Sequence, residues 1–316
     1  MRCNNAGRLL LAAACCFFWS AGQAQTDLDA LTMNKKQLCV GFQYSHNSWD
    51  HYWEGTLKRT NENIGTITTQ SVALMGNYGI SNKVNLLFAV PYVFTKASAG
   101  TLQGQKGFQD GMLAAKWNAF QHKGEKQAFS LFALAGVSAP LSNYTPDFLP
   151  MSIGLHSRAA FVRGLADYQR GKFFITGSAS YHLRNNVDIA RTAYYTTEMH
   201  YTNEVEMPDM WYANLRTGYR GRQLIVEATA DRTTTLGGFD IRRNDMPFPS
   251  NRMNLTNVGL SLRYEPGWLK WVTLTAGGTH AVAGRNMGQA TAYYAGAFYI
   301  FNFGKKAAVT KTSQTP

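Results

Sequence analysis

Apolar and polar residues alternate along most of the chain in short runs joined two by two through tight turns, and longer, wetter loops separate the pairs. Val258, Leu260, Leu262 and Tyr264, with Gly259, Ser261 and Arg263 between them, show the period most plainly. A period of two is the signature of a β-strand with one apolar and one polar face. Such a strand turns its apolar face inward in a soluble sandwich and outward, to lipid, in a membrane barrel. Which of the two applies decides most of what the protein can do.

About twelve strands follow from the pattern. The first runs from about Gln37 to Trp49, with Leu38, Val40, Phe42 and Tyr44 on one face. The third aligns Val84, Leu86, Phe88, Val90, Tyr92 and Phe94, with Leu87 and Val93 blurring its polar side. The last aligns Tyr293, Ala295, Ala297, Tyr299, Phe301 and Phe303. Short turns (Gly79–Lys83, His122–Glu125, Gln169–Lys172, Gly221–Arg222, Pro266–Gly267) alternate with long loops, the longest about Asn185 to Pro208 and Thr233 to Arg252. An even number of strands with alternating short and long connections is what an outer-membrane barrel requires. A sandwich has no reason for it. The predicted fold class is all-β, an antiparallel up-and-down transmembrane β-barrel.

The amino terminus agrees. Arg2 and Arg8 precede an apolar stretch from Leu9 to Trp19, and Gly22-Gln23-Ala24 supplies small and polar residues at a cut site. This is the layout of a secretory signal peptide spanning 1–24. A periplasmic leader (25–36), the barrel (37–303) and a basic tail (304–316) complete the expected organisation, with no room for a separate plug domain. The chain is therefore expected in a Gram-negative outer membrane. Its expected partners are outer-membrane lipid, the barrel-assembly machinery, which reads a terminal aromatic strand such as Tyr299, Phe301 and Phe303, and a small-molecule solute.

Composition narrows the chemistry. Three of the four cysteines lie in the signal, leaving Cys39 alone, so neither a disulfide framework nor a cysteine metal site is open to the mature chain. The net charge of +12 is scattered over loops and turns, which argues against nucleic acid and for anionic headgroups or solutes. The chain has no phosphate-binding glycine loop and no metal-ligand cluster, and no cofactor is expected.

With the apolar faces assigned to lipid, parity picks out what lines the lumen. The fourth strand turns Leu113, Ala115 and Trp117 out and Asp110, Met112, Lys116 and Asn118 in. Asn214 and Arg216 on the eighth strand, Glu227, Thr229 and Asp231 on the ninth, and Ser261 and Arg263 on the tenth face inward by the same rule. With Gly221 and Arg222 as the turn, the register sets Arg216 opposite Glu227, Asn214 opposite Thr229 and Leu215 opposite Ala228. The candidate lumen-lining residues are Asp110, Lys116, Asn118, Arg216, Glu227, Asp231 and Arg263. They either satisfy one another or set the charge preference of a solute path.

The runs Tyr78-Gly79-Ile80-Ser81-Asn82-Lys83, Val90-Pro91-Tyr92, Gly107-Phe108-Gln109-Asp110-Gly111 and Lys116-Trp117 resemble the outer-membrane barrel family named for the meta-cleavage pathway of phenol degradation. Gln109 stands where that family has a glycine, and Asn82 where it has an aspartate. The resemblance covers about Ser71 to Pro140. It implies a barrel passing small, often aromatic or apolar, molecules, with Asp110 and Lys116 at the family's acidic and basic positions. The expected function is passive passage of such solutes. Two other classes stay open: a structural or adhesive barrel acting through its long loops, and a lipid-modifying enzyme, for which His46 and Ser48 are the nearest candidates because His156 and Ser157 point to opposite faces. No catalytic site is expected.

Overall fold

The computed structural model describes residues 26–304 apart from positions 244 and 270. The expected signal peptide at 1–24 and the tail beyond Gly304 lie outside the described residues. Twelve long strands form one antiparallel sheet: β1 (Gln37–Trp49), β2 (Ile67–Gly79), β3 (Val84–Ala97), β4 (Asp110–Lys123), β5 (Gln127–Pro140), β6 (Ala159–Arg170), β7 (Phe173–Arg184), β8 (Met210–Arg220), β9 (Leu224–Thr235), β10 (Asn254–Tyr264), β11 (Val272–Arg285) and β12 (Thr291–Asn302). Each pairs with its sequence neighbours, and β1 pairs with both β2 and β12, which closes the barrel and leaves no edge. Strands of 11 to 14 residues, tilted near 45°, cross roughly 26–33 Å, the thickness of a bilayer's hydrocarbon layer.

Outward faces carry the apolar side chains. Phe42, Leu113, Trp117, Val162, Ile175, Leu215 and Leu260 are exposed on the outer surface, and Leu260 reaches 66% exposure. Leu131 and Val226 are exposed as well, so the apolar stripes do not meet in a dry centre. No helix among the described residues is long and apolar enough to cross a membrane, so the strands alone present this apolar belt.

Two irregularities have local causes. Pro91 has no N–H to give the ladder, and regular pairing of β3 with β4 stops at Ala89–Met112. Beyond it the amide of Gln109 reaches the Pro91 carbonyl at 3.0 Å, and a three-residue strand, Lys106–Phe108, pairs with Tyr92–Phe94. In β4 the register with β5 shifts between Asn118 and Phe120. This bulge leaves Ala119 and Phe120 both outward and sets Phe120 against Phe129 across the pair at 6.3 Å.

At one end of the barrel the connections are the short segments 80–83, 124–126, 171–172, 221–223 and 265–271. At the other end long loops fold on themselves. Residues His51–Glu54 pair with Leu57–Thr60, and the 185–209 loop holds two further small hairpins. Val187, Ile189, Tyr194, Val205, Met207 and Phe248 bury a shared apolar cluster from two of these loops. Asp240 clamps the 236–253 loop to β11 through a bidentate pair with Arg285, at 2.7 and 2.6 Å. Hydrogen bonds from that guanidinium hold the Asp240 carboxyl down at about 2.

Candidate functional site

The lumen is where inward parity and charge coincide, and the leader fills part of it. Lys36 adopts a left-handed backbone (φ 64°) at the start of β1, and this turns the preceding segment back into the barrel. The Lys36 amide bonds to Gly79 O at 2.8 Å, and the Phe303 amide bonds to Lys36 O at 2.9 Å, which fixes the turn at the short-turn end. From there the chain climbs inward: Asn85 donates to Met33 O at 3.3 Å, and Met33 is buried beside Cys39, Phe298 and Ile300. The leader does not lie outside the barrel as a periplasmic segment. Its acidic side chains find their counter-charges on the inner wall.

Asp29 is the centre of that arrangement. Its carboxylate accepts amide bonds from Thr26 at 2.6 Å and Leu31 at 3.0 Å, which curl the leader locally. The same carboxylate pairs with Lys116 of β4 and Arg263 of β10, each at 3.1 Å. Lys116 also donates to the Thr26 and Asp29 carbonyls and is wholly buried. Asp27 pairs with Arg163 of β6. Two leader carboxylates thus meet cations from three separated strands.

The wall holds two further ion pairs of its own. Arg216 and Glu227 pair at 3.0 Å across β8 and β9, and Ser261 donates to Glu227 at 2.9 Å. They are diagonal neighbours. Arg216 lies opposite Thr229, Asn214 opposite Asp231 and Leu215 opposite Ala230, a shift of two from the register expected from sequence. Gly221 bonds to Leu224 O at 2.8 Å, so the turn is Arg222–Gln223, not Gly221–Arg222. A shift of two preserves which face each side chain takes, and the pair survives because diagonal neighbours remain within reach of an arginine. Near the short-turn end Arg220 holds Asp167 through two bonds of 3.1 Å and lies 4.0 Å from the centre of the Phe174 ring.

The other candidates sit apart from this centre. Asp110, at the long-loop end of β4, accepts a bond from Tyr144. Six residues of strand, about 20 Å, separate it from Lys116, so the two share a face without sharing a site. Asn118 is buried beside the bulge, its amide bonded to Lys83 O at 2.8 Å. Asp231 accepts a bond of 2.9 Å from Asn257. His156 and Ser157 form no pair: Ser157 bonds to Asn185 O at 2.6 Å, and His156 stacks edge-on against Tyr144. His46 lies 3.4 Å from the Gln70 amide.

Arg163, Asp167, Arg220, Asp27 and Asp29 were not singled out from sequence. The spacing of Arg163 and Asp167 on one face of β6 was a usable signal, since paired charges cannot face lipid cheaply. Phe161 and Leu165, which also face inward, hid it. Together with Phe132, Leu134 and Phe174 they set apolar side chains among the charged ones on the inner wall of β5 to β7. Gly136 makes room for this: a Cβ there would stand 2.6 Å from the Phe161 ring. Ala30 of the leader packs on Phe132, Leu134 and Leu165. Among the described residues no group of three or more His, Cys, Asp or Glu side chains could hold a metal ion.

Comparison with solved structures bears on this arrangement. The COG4313 outer membrane channel from Pseudomonas putida F1 superposes with a TM-score of 0.69 over 88% of this chain and 99% of that one, at 16% identity. The fold is that of an outer-membrane β-barrel. Further matches have lower scores: the translocator domain of the autotransporter NalP from Neisseria meningitidis (TM-score 0.45, 12% identity, 87% and 91% covered) and the TodX monoaromatic hydrocarbon channel (0.41, 9%, 85% and 91%). No family model matches the chain, and comparison with the curated proteins finds no match.

Proposed function

We propose that the protein is an outer-membrane channel for passive passage of small solutes, narrowed by its own leader. One observation carries the reading: a closed barrel with an apolar exterior turns its charged and hydrogen-bonding groups inward, the arrangement of a barrel built around a polar path. Buried polar atoms facing the lumen, among them Thr273 Oγ1, Thr275 Oγ1 and Asn118 Oδ1, have no protein partner, which fits an interior that admits water. A solved protein with the same fold is called a channel, which favours the same class here. Small aromatic or apolar solutes are the proposed cargo, supported by the apolar side chains of the inner wall and by the resemblance of Ser71 to Pro140.

The test is conductance in planar bilayers together with liposome swelling. Small, discrete conductance steps in KCl are expected, with larger steps once residues 26–36 are deleted. A folded, heat-modifiable barrel that never conducts and gives liposomes no permeability to small solutes overturns the proposal.

A further inference from the structure

Among the described residues, three cations of the inner wall have their ion pairs with the leader alone. Lys116 and Arg263 pair with Asp29 and Arg163 pairs with Asp27, whereas Arg216 and Arg220 are matched by Glu227 and Asp167 of the wall itself. Remove the leader and the wall keeps three charges without ion-pair partners inside a narrow barrel, where an anion is attracted. The buried Nε atoms of Arg163 and Arg263, like those of Arg216 and Arg220, have no acceptor among the described residues.

What stands beside these cations is apolar. Lys116 lies over the Phe132 ring at 5.6 Å, and Arg163 lies between Phe161 at 5.8 Å and Tyr212 at 5.4 Å. The leader fits both halves of this surface, its carboxylates on the cations and Ala30 on Phe132, Leu134 and Leu165. Its chemistry is that of a carboxylate carried on a small apolar body.

We infer that the lumen binds small carboxylates with an apolar or aromatic body, and that Asp27, Asp29 and Ala30 occupy this binding surface as a built-in competitor. This deepens the channel reading by naming the solute class and rests on it for the route of entry. A carboxylate reaching the site pairs with Lys116, Arg163 and Arg263 and rests its body on Phe132 and Leu165. The leader, deprived of its counter-charges, then gives way. Occupancy by the leader lowers apparent affinity by the fraction of time the site is covered.

The test is equilibrium dialysis of radiolabelled benzoate against the folded protein in detergent, with acetate and benzamide as competitors. Asp27→Asn with Asp29→Asn is expected to tighten benzoate binding about tenfold, because an uncharged leader competes poorly. Lys116→Gln with Arg163→Gln is expected to abolish binding, and Arg263→Gln, the milder variant, to weaken it several-fold, with folding checked by heat-modifiable migration. Benzoate should displace the label, acetate poorly for want of a body, benzamide not at all for want of charge. Equal affinity in the wild type and the Asp27/Asp29 variant, or competition by benzamide as strong as by benzoate, overturns the inference. KCl conductance of the same preparations reads the channel separately. Conduction without benzoate binding sinks this inference alone, and binding without conduction leaves it standing while the channel reading falls.

Discussion

Asp29 and Arg263, 234 positions apart in the chain, meet at 3.1 Å inside the barrel, and the same carboxylate holds Lys116 through its other oxygen. Both Asp29 and Lys116 are almost wholly removed from solvent. Removing one member of such a group leaves the others charged and unpaired, at a cost of about 3–5 kcal/mol. Asp29→Ala is therefore expected to undock the leader while the twelve strands stay closed. Limited proteolysis reads it: rapid cleavage within 26–36 and unchanged heat-modifiable migration are expected. A leader as resistant as in the wild type would show that the ion pairs do not hold it.

Arg216 and Glu227 form the wall's own pair, with side chains only 12% and 9% exposed. In that setting a lone Glu227→Gln leaves a guanidinium facing a neutral amide, while Arg216→Gln leaves a bare carboxylate near Ser261. The double variant should be less destabilised than the two singles added together, with a coupling on the order of 1–3 kcal/mol. Urea unfolding of the four proteins in detergent measures it. Strict additivity would mean that the pair is screened by lumen water and adds nothing.

How much of this was legible from sequence differs by element. Lipid demands apolar side chains at every outward position, so Leu113, Trp117, Leu260 and Tyr299 announced their face, and with it the inward face of Lys116 and Arg216. Alternation is blind to a slip of two, however, which is why Arg216 and Glu227 were set directly opposite when they are diagonal. The leader was opaque for another reason. Twelve residues without periodicity give no clue that Asp27 and Asp29 have partners 136 and 87 positions away. Ion pairs of that range are written in the closed barrel, not in local pattern.

Arg220 grips Asp167 with two parallel bonds and stacks on Phe174, a geometry that a lysine cannot reproduce. Arg220→Lys keeps the charge and loses the fork and the stacking. A cost of about 1–2 kcal/mol is expected, read as a lower urea midpoint. If the variant matches the wild type, point charge alone accounts for the interaction.

Glu265, in the turn between β10 and β11, provides a pH test at the short-turn end of the barrel. Burial raises its carboxyl from 4.5 to about 7, outweighing the opposing pull of Arg263. The folded chain therefore holds this proton more tightly than the unfolded chain does. Below pH 4.5 the group is neutral in both states and costs nothing. As pH climbs from 4.5 to 7 the unfolded chain ionises first, and the fold loses stability until the penalty is complete above 7. Glu265→Gln has no charge to bury, so its melting temperature should match the wild type near pH 4, pull ahead through the interval and hold a constant lead above 7, where solvent around the partly exposed carboxyl cuts the roughly 3 kcal/mol of the full shift to a gain on the order of 1 kcal/mol. A lead of the same size at pH 4 and pH 8 would place the effect in packing, with no part for the buried charge.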